Sequence, residues 1–237
     1  MKRKALLVAM LASLSATALV GCAGMDKLMG GGLPGMDAVS AVAGGAVMSA
    51  ADLGNLQATM LGDTQAVAVN VAGAQKKLHE ALGYKEKAAE LNDYIKSAKS
   101  GNVDGDYLKK LTTVSAQADE ALLKELAEVK VLSAKQKVMV GASLVDYAKG
   151  VYGTAKLAVN AAKAGKEAAN MIKRDWTKAL QLKNQFAYVL DAAVNLPPFA
   201  TQLIETGVGY IDLAKKLGVD TSAASKIFED VKNEFKL

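Results

Sequence analysis

The side chains that most often carry chemistry are scarce in this chain of 237 residues, which has one Cys (Cys22) and one His (His79). A lone Cys closes no internal disulfide, and one Cys with one His cannot make a Cys- or His-rich metal centre. A histidine acting as general base needs an orienting partner and a nearby nucleophile or water. The neighbouring Glu80 points to another side of a helix, and the i−4 and i+4 positions hold Gln75 and Gly83. His79 therefore reads as an exposed or rim residue near a helix end, favoured by the terminal carbonyls. Asn102, Asp104 and Asp106 have the alternate spacing of the start of an EF-hand loop, but its sixth and twelfth positions fall on Tyr107 and Thr113 instead of Gly and Glu. A helix-capping turn is the better reading. Gly150, Gly153 and the Gly30–Gly32 run make no phosphate loop, because no strand precedes them and no Gly-Lys-Ser or Gly-Lys-Thr follows. No nucleophile elbow occurs either. The sequence assigns no catalytic, cofactor-binding or metal-binding residue.

Charge is the remaining chemical signal. From Ser133 to Arg174 there are eight basic residues against two acidic ones, Asp146 and Glu167. From Tyr84 to Val131 the balance is eight against nine. Lys149, Lys156 and Lys163 repeat every seven residues, which sets them on one side of a helix. They form either a solvated helix face or a contact surface for anionic lipid, glycan or an acidic protein.

Cys22 closes a segment with its own logic. Lys2, Arg3 and Lys4 precede an uncharged stretch of 16 residues, Ala5 to Val20. A basic start followed by a short apolar stretch is the pattern of a secretory signal, and the stretch is short of the roughly 20 residues a spanning helix needs. The stretch ends in Leu19-Val20-Gly21-Cys22, which resembles the lipobox of bacterial lipoproteins. The resemblance covers residues 1–22 only, and no family is recognised for the rest. It implies removal of residues 1–21, a diacylglyceryl thioether on Cys22 and acylation of the new amine. Two or three chains on one residue anchor far more firmly than a single acyl chain. Ala23 stands where an inner-membrane retention signal would place Asp, so the resemblance implies the periplasmic side of the outer membrane of a Gram-negative host.

Losing the signal removes three of the 29 basic residues, leaving 26 against 24 acidic ones. The basic balance is then partly a property of the targeting segment and argues poorly for nucleic acid. Residues 22–36 read as the lipidated Cys and a tether, with Gly30, Gly31, Gly32, Pro34 and Gly35 breaking regular structure.

The rest, 37–237, reads as one all-α domain, a bundle of about six to eight helices. Hydrophobic residues make up 51% of the chain but aromatics only 5%, with Ala, Leu, Lys and Val dominant, which favours helices over β-sandwiches. Asp37 is placed to cap a first helix, Gly62-Asp63 to break it and Gly83 to end it. Asp220, Thr221 or Ser222 can cap the last helix. Leu144, Ala148, Val151, Ala155, Ala158, Ala162, Gly165, Ala169 and Ile172 alternate steps of four and three, a coiled-coil-like seam of small residues suited to close packing. The pattern runs on through Trp176, Ala179 and Phe186 until Pro197-Pro198 stops it. The expectation is a lipid-anchored, non-enzymatic binding or scaffolding protein with no cofactor, whose partners are the membrane and an envelope protein or anionic lipid or glycan. Two alternatives stand beside it: a small-ligand carrier or enzyme with a site inside the bundle, and a helical protein that remodels or perforates membranes.

Overall fold

The computed structural model describes residues 48–100 and 103–235. Cys22, the tether, the Asp37 cap and Asn102 lie outside the described residues. Within them the fold is all-α, with seven α-helices and one 3-10 turn.

Helix α1, Ala50–Leu82, starts at a capping box: the Ser49 hydroxyl accepts from the Asp52 N–H at 3.1 Å, and the Asp52 carboxylate accepts from the Ser49 N–H at 3.2 Å. Gly62-Asp63 does not interrupt it. Met60 and Thr64 are buried on either side, and the Thr64 hydroxyl donates to the Met60 carbonyl. The face they hold outweighs the helix cost of one glycine. Gly83 does end α1. Its φ of 96° lies in the left-handed region that glycine adopts freely, and Tyr84 N–H closes the turn on the His79 carbonyl at 2.8 Å.

Helix α2 spans Lys85–Lys99 and α3 spans Gly105–Glu128. Asp104 caps α3 by accepting from the Tyr107 N–H at 2.8 Å, as the failed EF-hand pattern led one to expect. Helix α4, Ala134–Arg174, has 41 residues and so runs about 60 Å. Ser133 and Gln136 form its capping box, and Gln136 Nε2 also donates to the Ala81 carbonyl, tying the end of α1 to the start of α4.

The chain then turns through a 3-10 segment, Trp176–Lys178, and a short α5, Ala179–Gln185. Helix α6 spans Ala187–Lys216 and α7 spans Ser222–Phe235. Asp220 accepts from the Ser222 N–H and hydroxyl just before α7.

The long helical pattern therefore ends at Arg174, not at the proline pair. Trp176 continues the apolar spacing but falls in the 3-10 segment and is 79% exposed. Pro197 and Pro198 lie inside α6. Each removes one backbone donor, so the carbonyls of Ala193 and Val194 lose their helical partners. Val194 and Pro198 face solvent, where water can satisfy the freed oxygens, and Leu196 and Phe199 hold the opposite side in the core.

Helix α4 is the axis of the bundle. It runs antiparallel to α1, with Gly150 against Val71, Gly153 against Val67 and Lys77 paired with Asp146 at 2.7 Å. Helix α6 covers a second side and α7 a third. A Cβ on Gly150 would sit 3.0 Å from Val71 Cγ2, and one on Gly165 would overlap the Ala193 methyl. The small residues thus permit the expected close approach. The burial is broader than one seam, however. Leu157, Ala161, Ala164 and Ala168 are buried, whereas Ala162 is exposed and Ala169 and Ile172 are half-buried. A helix enclosed on three sides needs a wide apolar face, not a narrow stripe.

Candidate functional site

The chemistry that the structure gathers is inside this bundle. Gln75 and His79 are one turn apart on α1, Ser115, Asp119 and Glu125 come from α3, Tyr147 from α4 and Tyr210 from α6. All seven are buried. Helices α1 and α3 run in the same direction, which sets Gln75 opposite Ser115 and Asp119 and His79 opposite Glu125.

Asp119 is the hub. Its carboxylate accepts from Gln75 Nε2 at 2.7 Å, from the Tyr210 hydroxyl at 2.6 Å and from the Tyr147 hydroxyl at 3.1 and 3.2 Å. Burial pushes its pKa up to about 6, while the hydrogen bonds from Tyr210, Gln75 and Tyr147 pull it down. Burial and the adjacent carboxylate hold both phenols well above the usual tyrosine range, so they remain donors. Their rings meet edge to face with centroids 5.2 Å apart. Gln75 Nε2 also reaches the Ser115 carbonyl and hydroxyl, each at 3.0 Å.

One turn further along, His79 Nδ1 and Glu125 Oε2 are 2.7 Å apart. Burial lowers the histidine to about 4 and raises the glutamate to about 7. Lys87 on α2 contributes to the drop at His79; at Glu125 it pulls the carboxyl down, and Glu128 on α3 pushes it up. Near neutrality the imidazole is uncharged, and one hydrogen bond joins its Nδ1 to the Glu125 carboxyl. This corrects the expectation of a rim histidine: His79 is 1% exposed.

Such a pair could move a proton, and the Asp119 hub could hold a cationic or hydrogen-bonding group. The shallow hollow lined by Glu80, Lys85, Ala88, Ala89 and Asn92 lies between α1 and α2 and includes none of the seven. No group of three or more His, Cys, Asp or Glu able to hold a metal is found among the described residues.

A smaller cluster of polar side chains sits nearer the start of α6. The Tyr188 and Thr64 hydroxyls are in close contact, and the stacked Tyr94 and Tyr107 rings have centroids 6.4 Å apart. Neither Tyr94 nor Tyr107 finds a partner for its hydroxyl among the described residues. Asp63 is half-buried, and burial raises it to about 6 against the pull of Lys156.

Lys149, Lys156 and Lys163 fall along α4, the first two half-buried and the third exposed. None is in an ion pair among the described residues, although Asp146 stands one turn from Lys149, and Lys156 acts on Asp63. The column is separate from the buried layer. Sequence reasoning missed that layer, although polar Ser115 and Asp119 on the apolar face of α3 were a usable signal.

No protein-family model, curated protein or solved structure matches the chain.

Proposed function

We propose that this is a lipid-anchored envelope protein whose helical body serves in binding or scaffolding, not in catalysis. The observation that carries the reading is Leu19-Val20-Gly21-Cys22, which puts the only cysteine of the chain at a lipobox cleavage position. The buried layer supports it. The Asp119 oxygens are taken up by donors of the protein itself, which suits a group that locks four helices together. In the same reading, Lys149, Lys156 and Lys163 are a contact face for an acidic partner, to be tested by charge reversal and recovery of bound envelope proteins.

Intact mass of the membrane-extracted protein tests the anchor. The expected mass is that of residues 22–237 plus a diacylglyceryl group and an amide-linked acyl chain. Cys22→Ser should block both the lipid attachment and the cleavage before residue 22. An unmodified mass, or a serine variant that is still processed and stays equally bound after high salt, overturns the reading.

The His79–Glu125 contact favours a second reading, a small-ligand or enzymatic site within the bundle. Under that reading His79→Gln abolishes ligand stabilisation while the fold persists. Under the first it changes stability alone.

A further inference from the structure

Helix register identifies which end of the bundle the chain enters. Along α1 and α4 the facing pairs are Lys77 with Asp146, Val71 with Gly150 and Val67 with Gly153. Continuing that register from Val67 and Gly153 brings Ser49, the cap of α1, level with the last turn of α4 near Met171. Gln57 Nε2 donates to the Gln185 carbonyl at 3.2 Å, which fastens the end of α5 to the second turn of α1. One tip is therefore built from the start of α1, the last turns of α4, the 3-10 turn and α5.

That tip exposes the wrong residues for a water-facing surface. Trp176 is 79% exposed and Leu180 74% exposed. Trp176 lies in the 3-10 segment and Leu180 in the first turn of α5, four positions on. The inward face of the same segment is already satisfied, since Leu182 and Phe186 are buried. Around the pair, residues 49–57 and 163–185 contain six basic side chains (Lys163, Lys166, Lys173, Arg174, Lys178 and Lys183) against Asp52, Glu167 and Asp175. Asp175 pairs with Lys178 at 3.3 Å. The next carboxylates, Asp63, Asp104, Asp106 and Asp191, lie near the level of Thr64, since Asp63 directly precedes it, Gly105 abuts Asp191 and Tyr188 meets Thr64. That is about 20 Å down the bundle at 1.5 Å per residue, roughly two Debye lengths at physiological salt.

We propose that this tip docks on an anionic bilayer surface, with Trp176 and Leu180 in the interfacial layer and the surrounding basic side chains against head-group phosphates. An indole ring is most at home at the membrane–water boundary, where its apolar body and N–H are both accommodated. Lysine and arginine beside it gain from the negative potential of acidic lipids. A lipid on Cys22 would bring the body to a bilayer, and in that respect the proposal rests on the anchor reading; the chemistry of the patch does not.

Trp176 is the only tryptophan of the chain, so its emission reports the contact directly. Residues 22–237 carrying Cys22→Ser, which has no lipid, are mixed with phosphatidylglycerol–phosphatidylcholine vesicles. The lipidated protein is reconstituted in the same mixture. The expected result in both is a blue shift and quenching by brominated acyl chains. The shift of the unlipidated chain should weaken with salt and vanish in pure phosphatidylcholine. Lys173→Glu with Arg174→Glu and Lys183→Glu, or Leu180→Ala, should each weaken vesicle binding of the unlipidated chain about tenfold or more, a change of roughly 1.4 kcal/mol. Water-like emission with and without vesicles overturns the proposal. So does blue-shifted emission before vesicles are added, which would mean that the chain or a second copy already covers the patch. Equal binding to neutral vesicles overturns the assignment to anionic head groups. Failure of the anchor reading shows instead in the mass of the extracted protein, a separate measurement.

Discussion

At the scale of single residues, Asp119 concentrates the energetics. Its carboxylate removes the hydrogen-bonding debt of three buried donors at once, so truncation leaves Gln75, Tyr147 and Tyr210 unpaired together. Asp119→Ala should lower unfolding stability by about 3 kcal/mol or more, the range for breaking a buried charged network. Asp119→Asn, which keeps the shape and one acceptor, should cost clearly less. Urea midpoints of the two variants check this. The His79–Glu125 pair gives a pH signature. Burial raises Glu125 above its ordinary 4.5 to about 7, so over that interval the folded chain holds a proton that the unfolded chain has lost. Stability from this group therefore falls as pH rises. His79 is lowered from 6.5 to about 4, so its contribution rises with pH across that interval. The two slopes oppose each other in the native protein, and Asp119, raised to about 6, adds a further decline. Glu125→Gln removes one declining contribution. Its stability relative to the native chain should increase from pH 4.5 to 7, measured by urea titration at each pH; a flat difference would contradict the assignment.

At the scale of elements, the glycines separate by what surrounds them. A Cβ on Gly62 meets nothing within 4 Å, whereas one on Gly165 overlaps Ala193. Gly62→Ala should stabilise by up to about 1 kcal/mol through helix propensity. Gly165→Val should destabilise by about 1–3 kcal/mol by forcing α4 and α6 apart. Thermal denaturation of both variants reads the signs. The elements also show which features the sequence made legible. Gly83 and Asp104 act locally, on backbone groups within four residues, and their roles followed from residue type. The turn at 175–186 did not, because apolar spacing counts Trp176 whether or not a neighbour covers it. Nor did the prolines of α6, whose cost depends on solvent reaching the freed carbonyls. Glu125 was out of reach as the partner of His79, since the two are 46 residues apart and only the shared direction of α1 and α3 joins them. The charge column and the single cysteine were visible as residues, but what they contact lies beyond any periodicity.

At the scale of the whole molecule, one apolar cluster runs through every described helix, from Leu53 on α1 to Val231 on α7. Helix α7 is not an appendage: Ala224, Phe228 and Val231 are buried, and the Phe228 ring fills the space left by Gly207. A core shared this way should be lost in one step. Far-ultraviolet circular dichroism and near-ultraviolet tyrosine signals should give coincident urea transitions, and separated midpoints would show that α7 or α2 melts independently.

The antiparallel seating of α1 along α4 has a mechanical consequence. A tug on the amino-terminal side of Ser49 loads α1 along its own axis. Val67 and Val71 would then have to slide past Gly153 and Gly150 together, not peel away in turn. Rupture under such load follows the barrier to unfolding and not the equilibrium stability. Load entering through Ser49 is thus borne in shear, the direction in which two long interlocked rods are hardest to part.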